Sequence, residues 1–267
     1  TVSGACEKTG CLEVPFGITV QELLAAAGGI AGGRAFKALQ QGGPLSGLLP
    51  AAKAAPLALE PEPFRAAGVG MGGGGLIFLD DSACVVDLNV GFAWFLEDES
   101  CGRCTTCRGG NQRMLEIVKR VARGQGHESD VERLKTLDAT MQYSNCLYGT
   151  LSPTMTRNML QHFREEYDTH AFGHRCQAKV CPELIRYIVT KQSAAVAEAA
   201  ALCPAGAIAQ QGGAWSIDDT ACIRCNACRE HAPEAIDVVD LYPDAIPLAV
   251  VMRATVTPEH VAVQARP

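Results

Sequence analysis

The sequence lacks several features that define broad classes of protein. No apolar stretch in the 267 residues is long enough to span a bilayer, since the longest, residues 76–79 and 246–252, are strand-sized. Lys and Arg form no long basic run and the net charge is −6, which argues against a nucleic-acid-binding surface. No signal peptide pattern is present. We therefore expect no membrane span and no nucleic-acid partner.

The chain begins at Thr1 rather than Met, so we expect a processed form or a piece of a longer protein. What it has in abundance is cysteine, with 13 residues, of which six lie in two Cys-x2-Cys-x2-Cys runs. That spacing suits metal ligation and is too tight for ordinary disulfides. Thiolate ligands indicate a reducing compartment, so we expect a cytoplasmic location. The length favours two or three domains.

Residues 1–82 are predicted to form a small α/β unit, the first part of an α+β fold. Strands are expected at residues 2–6, 11–14, 36–40 and 76–79, and a helix at residues 18–27. The helix should end at Gly28 and Gly29. Cys6 and Cys11 lie on the two facing strands and have no assignment, so reduced thiols are the default for both.

Residues 83–170 change to a helical period and predict a bundle of four helices. The apolar faces consist of Val85, Leu88, Phe92, Phe95 and Leu96, then Met114, Ile117, Val118 and Val121, then Val131, Leu134, Leu137 and Met141, and finally residues 159–167. Ser129 is the expected N-cap of the third helix, with Glu132 completing a capping box.

The first Cys-x2-Cys-x2-Cys run lies at the start of the second predicted helix. Its ligands would be Cys101, Cys104 and Cys107, because two-residue spacers let successive thiolates wrap one corner of a 4Fe-4S cubane. The free N–H groups of a helix N-terminus favour an anionic cluster. Cys146, between the third and fourth helices, is the natural fourth ligand. A structural zinc site is the alternative, although zinc usually joins two separate cysteine pairs.

These residues carry a family resemblance. The segments 70–75, 80–87, 99–108 and 163–170, together with Cys146, resemble the flavin- and NADH-binding subunit of respiratory complex I. They are more similar to its relatives in electron-bifurcating iron hydrogenases and NAD-linked formate dehydrogenases. The resemblance extends to about residue 240. It implies that residues 1–82 form a β-grasp-like domain of the soluble-ligand-binding type (SLBB), and that residues 83–170 form the helical 4Fe-4S domain.

The sequence departs from that family in one large respect. The Gly-rich flavin and NADH domain that precedes this region in the family is absent. The glycines at 72–75 do not replace it, because no Lys-Ser/Thr follows them and they precede a strand instead of opening a helix. A turn that allows close backbone approach explains them better. FMN and NADH are therefore not expected to bind this chain alone.

The second run, Cys222, Cys225 and Cys228, predicts a ferredoxin-like domain at residues 193–240. Bacterial two-cluster ferredoxins continue with x3-Cys-Pro, and here that position holds Ala232 followed by Pro233. Cys203, followed by a proline, repeats the same tail 29 residues upstream. His231 is a weaker rival ligand.

The offset of 29 residues separates two sets of ligand positions. One set retains all four cysteines: Cys203, Cys222, Cys225 and Cys228. The other retains none and consists of Ser193, Val196, Ala199 and Ala232. We therefore expect one 4Fe-4S cluster here, with residues 194–202 forming a helix in place of the second.

A third candidate site consists of three cysteines and one histidine: Cys84, His170, Cys176 and Cys181. Cys84 begins the first bundle helix, and the last helix ends near His170. The two remaining cysteines lie in a connector, residues 171–192. Three thiolates and one imidazole form a closed structural zinc set, and the family resemblance implies zinc at this hinge. The alternative is a buried Cys84 with free thiols at 176 and 181. His174 is a weaker candidate ligand.

The cysteine sets and the resemblance support three functional hypotheses. The first is an electron-relay subunit of a larger oxidoreductase, with a flavin-bearing subunit, a thioredoxin-like iron–sulfur subunit or a ferredoxin as partners. The second is the C-terminal part of an FMN-dependent NAD(P)H dehydrogenase subunit whose flavin domain lies upstream. The third is a structural protein with zinc in every site. Residues 241–267 are expected to be a tail that packs on a partner or on the domain.

Overall fold

The computed structural model describes residues 1–243 and shows a mixed α and β architecture with three small sheets. Most of the predicted C-terminal tail, residues 244–267, lies outside the described part of the chain. Within residues 1–243, no helix is long and apolar enough to cross a membrane.

The N-terminal unit is built on a four-stranded sheet with strand order β1-β4-β2-β3. β1 pairs in parallel with β4, and β2 is antiparallel to both β4 and β3. The elements of this unit are β1 (Val2–Gly4), α1 (Val20–Ala26), β2 (Phe36–Gln41), β3 (Leu48–Pro50), α2 (Ala51–Ala54), α3 (Pro61–Ala66) and β4 (Leu76–Asp80). The helix and three strands confirm the predictions to within two residues, whereas β3, α2 and α3 carried no prediction.

The limits of α1 follow from local sequence. Thr19 accepts a hydrogen bond from the Glu22 backbone amide, and the Glu22 side chain accepts one from the Thr19 amide, which forms a capping box. The helix ends at Ala26 with Ala27 as its C-cap, and Gly28 and Gly29 follow with left-handed φ angles of +87° and +82°. Glycine adopts such angles at no steric cost, so the pair stops the helix.

The predicted strand at residues 11–14 is wrong. Val2 and Gly10 exchange two backbone hydrogen bonds of 2.8 and 2.9 Å, but the pairing stops at this single bridge. β1 forms its ladder instead with β4, which buries Leu76 and Phe78 in the core. The distant strand that completes the apolar sheet therefore pairs with β1 in place of a local hairpin, and Leu12 stays exposed.

The helical region contains six helices rather than four. They are α4 (Val85–Asp98), α5 (Thr105–Ala122), α6 (Asp130–Met141), α7 (Leu147–Leu151), α8 (Thr154–His162) and α9 (Arg164–Ala171). The first three confirm the predicted helices. The fourth predicted helix is interrupted at Phe163, whose φ and ψ of −129° and 34° are not helical. After this break α9 continues as a separate helix, and six of its eight residues are buried.

The predicted capping box at Ser129 is also wrong. Ser129 has helical backbone angles and makes no side-chain cap. The fully buried Asp130 stabilises the start of α6 instead. Its carboxylate accepts a hydrogen bond of 2.8 Å from the His127 amide and forms an ion pair with Arg120. A carboxylate that ties two helices together thus replaces a serine cap that would act only locally.

The C-terminal unit contains two small antiparallel sheets and two helices. Its elements are β5 (Ile185–Val189), α10 (Ala194–Leu202), β6 (Ile208–Gln211), β7 (Ala214–Ile217), α11 (Ala227–His231) and β8 (Ile236–Asp240). β5 pairs with β8, so the segment assigned to the connector contributes a strand to this unit. The helix expected at residues 194–202 is confirmed at those limits.

The N-terminal sheet and the helices share one apolar core. Ala38 and Leu48 from the sheet pack in the same buried cluster as Val85 and Met155 from the helices. Asn158 also accepts a hydrogen bond of 3.1 Å from the Leu48 amide. The sheet therefore supports the helices that carry the cysteines.

Candidate metal centres

The first cysteine set lies where two helices begin. Cys104 is the N-cap of α5, Cys107 lies in its first turn, and Cys146 is the N-cap of α7. Cys107 is buried, whereas Cys101 and Cys146 are exposed and Cys104 is intermediate. One edge of the site therefore faces solvent and one faces the helices.

Two contacts bring Cys146 to the start of α5. The Thr106 and Ser144 hydroxyls are 3.0 Å apart. Gly149 on α7 packs closely against Ser144 and Cys107. A Cβ at position 149 would lie 2.4 Å from the Ser144 Cβ and 3.1 Å from the Cys107 Cβ. Since a Cβ does not approach a carbon to which it is not bonded as closely as 2.4 Å, only glycine allows α7 to lie here.

The negative charges of the thiolates in this set repel one another. Burial raises the pKa of the Cys107 thiol, and the neighbouring thiolates of Cys104, Cys146 and Cys101 raise it further. Burial, followed by the charges of Cys107 and Glu99, also raises the pKa of Tyr148 to about 12. Four thiolates that repel one another in this way are a donor set for a cationic metal centre, which fits a 4Fe-4S cluster.

The second set surrounds one concavity of the C-terminal unit. Cys203, Cys222, Cys225 and Cys228 all line it. Burial raises the pKa of the Cys228 thiol, and the charges of Cys222, Cys225 and Cys203 add to the effect. The four sulfurs therefore lie close enough to act on one another, and the set fits a 4Fe-4S cluster.

The loop that carries Cys222 and Cys225 has an unusual backbone. Arg224 and Asn226 have left-handed φ angles of 57° and 68°. Arg224 donates to the Ile185 carbonyl at 2.9 Å, and the Tyr187 hydroxyl donates to Asn226 Oδ1 at 3.0 Å. These bonds hold the strained loop against β5. Tyr187 was missed in the sequence because nothing local links it to the cysteine run.

The four positions of the other ligand set in this unit, which hold no cysteine, lie in different surroundings. Val196 and Ala199 are fully buried on α10, and Ala232 is 2% exposed, whereas Ser193 is the exposed N-cap of α10. Three of the four positions thus form part of the apolar core of this unit. His231 points elsewhere, since its Nε2 lies 3.0 Å from Glu198 Oε2.

The third set is the most compact of the three. Its four donor atoms, from Cys84, His170, Cys176 and Cys181, lie within 4.8 Å of one another, and all four residues are buried. His170 Nε2 is 3.3 Å from both the Cys84 and the Cys181 sulfurs, which are 3.7 Å apart. Tetrahedral zinc, with bonds of about 2.3 Å to sulfur and about 2.0 Å to nitrogen, requires separations of about 3.5–3.8 Å. The donor set fits zinc.

Hydrogen bonding orients the imidazole in this set. His170 Nδ1 donates to the Glu166 carbonyl at 2.7 Å, which leaves Nε2 directed at the sulfurs. Burial lowers the pKa of His170, but hydrogen bonds to the Cys176 and Cys84 sulfurs outweigh it and raise the pKa to about 10. The site therefore stabilises positive charge at its centre. His174 lies outside the set and packs against the Tyr242 ring, 5.7 Å away.

Two of the thirteen cysteines belong to no set. Cys6 is buried, with its sulfur 3.5 Å from the Lys8 carbonyl oxygen, and Cys11 is exposed. Both are free thiols.

Comparison with known proteins identifies one iron–sulfur binding region, in the helical part of the chain. Residues 88–170 match the family described as the NADH-ubiquinone oxidoreductase-F iron-sulfur binding region. The chain is 36% identical over 190 residues to the HndC subunit of the NADP-reducing hydrogenase of Solidesulfovibrio fructosivorans, covering 70% of this chain and 39% of that protein. It is 33% identical over 177 residues to the F 2 subunit of the NADH-quinone oxidoreductase of Rhizobium meliloti, covering 66% of this chain and 42% of that protein.

A solved structure has a similar fold. A chain of NAD+-reducing [NiFe]-hydrogenase matches 63% of this chain and 28% of its own length, with 31% identity and a TM-score of 0.55. Fold and sequence together define an iron–sulfur protein with an electron-transfer role. The chain carries the iron–sulfur binding region of NADH-ubiquinone oxidoreductase F at residues 88–170, and its relatives include subunits of a hydrogenase and of an NADH-quinone oxidoreductase. It spans about two fifths of the length of the curated relatives it matches.

Proposed function

We propose that this chain is an electron-relay subunit of a multi-subunit oxidoreductase of the hydrogenase, formate dehydrogenase or NADH dehydrogenase type. One 4Fe-4S cluster is held by Cys101, Cys104, Cys107 and Cys146, and a second by Cys203, Cys222, Cys225 and Cys228. Such clusters supply one-electron transfer when bound. The chain has no complete catalytic site of its own in this proposal.

The division of the C-terminal unit into one complete and one lost cysteine set carries this proposal. The complete set lines a single concavity, while three positions of the lost set are packed into apolar core. Apolar packing removes both the ligands and the space for another cluster. The unit is therefore proposed to be a ferredoxin-like domain with one cluster, and this gives two clusters for the chain.

The third set is proposed to hold a structural zinc ion. Three thiolates and one imidazole close the coordination shell, so the ion would have no open position and no redox role. Cys84 begins α4, whereas Cys176 and Cys181 precede the C-terminal unit. The ion would therefore fasten the C-terminal unit to the helices and restrict how the second cluster moves.

The partners are proposed from the relatives. Those proteins are named as subunits of a hydrogenase and of an NADH-quinone oxidoreductase. A flavin-bearing subunit, a thioredoxin-like iron–sulfur subunit or a ferredoxin would then exchange electrons with this chain, in the cytoplasm. The residues exposed beside each set, such as Leu147 beside Cys146 and Ile223 beside Cys222, suit such contacts.

Metal analysis combined with electron paramagnetic resonance tests the proposal. We expect about eight iron and eight acid-labile sulfide per chain, and two reduced centres in the spectrum. Cys146→Ser should remove only the first centre, and Cys203→Ser only the second. Cys11→Ser is the matched control and should leave both. A colourless protein with zinc in place of iron would support the structural zinc alternative, and three centres or one would contradict the cysteine assignment.

A further inference from the structure

Cys107 differs from the other cysteines of its set in its surroundings. It is the only buried one, at 5% exposure, whereas Cys101 and Cys146 face solvent. Water can solvate the charge on an exposed thiolate. A buried thiolate needs hydrogen bonds from the protein, because an unpaired buried charge is costly.

Two side chains direct donors at this sulfur. Asn111 lies four residues after Cys107, one turn further along the same face of α5, and its Nδ2 is 3.5 Å from the Cys107 Sγ. The Ser100 hydroxyl is also 3.5 Å from that sulfur. Within residues 1–243, no other sulfur of this set has a side-chain hydrogen-bond partner.

The position of Asn111 is fixed by its other contacts. It is 2% exposed, and Nδ2 lies 3.2 Å from the Leu96 carbonyl oxygen and 3.4 Å from the Ser152 hydroxyl. The Ser152 hydroxyl donates its own hydrogen to the Tyr148 carbonyl, so towards Asn111 it acts as an acceptor. The amide nitrogen is therefore surrounded by acceptors only, and the thiolate is the charged one among them.

We infer that Asn111 and Ser100 are positioning residues that raise the reduction potential of the first cluster through the Cys107 thiolate. The inference rests on the proposed function of this site. Reduction adds one electron, taken from a reductant such as dithionite, and so increases the negative charge on the cluster and its sulfurs. Donors aimed at a ligand sulfur stabilise that more negative state. The first cluster would then have two side-chain donors at its Cys107 sulfur. In the second set, within the described part of the chain, the Cys203 sulfur accepts a hydrogen bond only from a backbone amide, that of Ala207, at 3.4 Å.

A redox titration followed by electron paramagnetic resonance tests the inference on the cluster-loaded chain. Asn111→Leu removes the amide at similar volume, and Ser100→Ala removes the hydroxyl. Each variant should shift the reduction equilibrium of the first cluster by up to tenfold towards the oxidised form, which is about 59 mV lower in potential for a one-electron couple. Gln112→Leu, the same kind of change at an exposed position of α5, should leave the potential unchanged. The second cluster should also keep its potential in all variants.

A merely structural role would lower cluster content without moving the potential of the clusters that remain. Ser100→Thr, which keeps a hydroxyl, should retain the wild-type potential. If Asn111→Leu does not retain the first cluster, the potential of the Ser100→Ala variant still tests the inference, because Ser100 is half-buried and its truncation changes little packing. If the cluster-loaded Ser100→Ala variant has the wild-type potential, the proposed role of Ser100 is wrong. If the cluster-loaded Asn111→Leu variant has the wild-type potential, the proposed role of Asn111 is wrong. Wild-type chain without a first cluster overturns the proposed function itself, and with it the inference.

Discussion

The Lys37 ammonium group on β2 lies 2.7 Å from a carboxylate oxygen of Glu166 on α9. The other carboxylate oxygen accepts a hydrogen bond of 3.2 Å from the Val85 amide, at the first residue of α4. The Glu166 carbonyl accepts from His170 Nδ1. One residue thus connects the N-terminal sheet, the start of α4 beside Cys84 and the imidazole of the third donor set.

Breaking this ion pair should destabilise the protein strongly. The Lys37 and Glu166 side chains are only 18% and 9% exposed. Lys37→Met leaves a largely buried carboxylate unpaired, which costs about 3–5 kcal/mol of unfolding free energy. Urea denaturation measures it. Arg113→Met is the control, since its pair with Glu116 is 64% and 45% exposed and should contribute less than about 1 kcal/mol. Similar losses in the two variants would contradict the expected importance of the buried pair.

Removing one ligand of the third set should release zinc and spare iron. In Cys176→Ala we expect the single zinc to be lost, because two thiolates and one imidazole no longer close the shell. Both iron–sulfur centres should remain, with altered electron transfer to the second. Elemental analysis and reduction kinetics measure these effects, and Cys6→Ala serves as a control for loss of another buried cysteine. Wild-type chain without zinc, or a variant that loses iron instead, would show that the hinge proposal is wrong.

The packed positions of the lost set should contribute stability and not cluster binding. Val196 is fully buried, so Val196→Ala removes two methyl groups from the core and should cost about 2 kcal/mol. Thermal unfolding measures the loss, and iron content should stay at the wild-type value. Leu202→Ala, at a position 56% exposed on the same helix, should cost far less. A Val196→Ala chain that lost iron at unchanged stability would point to a ligand-supporting role instead.

Acid should weaken the packing of α8 through His162. Burial lowers the pKa of His162, and the nearby Lys53 charge lowers it further. The unfolded chain therefore binds the proton more readily, so this stabilisation is complete above the ordinary pKa of 6.5 and is lost as the pH falls through the lower folded value. His162→Gln should show a smaller drop in unfolding free energy between pH 7.5 and pH 5 than wild type. Equal drops would show that His162 does not contribute.

Local spacing predicted much of the candidate site. Cys101, Cys104 and Cys107 are grouped by two-residue spacers, and the 29-residue offset sorts complete from lost ligand positions without any structure. Helices α4, α5, α6 and α10 are also evident, because apolar period and alanine content are properties of neighbouring residues. The sequence by itself therefore determined how the cysteines group and which helix begins at the first run, but it did not predict α7 and α11, which carry Cys146 and Cys228.

Tertiary structure alone decided what lies around those cysteines. The parallel pairing of β1 with β4 joins residues more than 70 positions apart in the chain. The break at Phe163 and the use of Asp130 in place of a Ser129 cap also had no signal in the apolar period. The contact of Glu166 with Lys37 joins residues that are 129 positions apart in sequence. Burial and hydrogen bonding are set by packing, and packing joins residues that no local period connects. The burial of Cys107 is therefore a property of the fold and not of the cysteine motif, although its two donors, Asn111 and Ser100, are close to it in sequence.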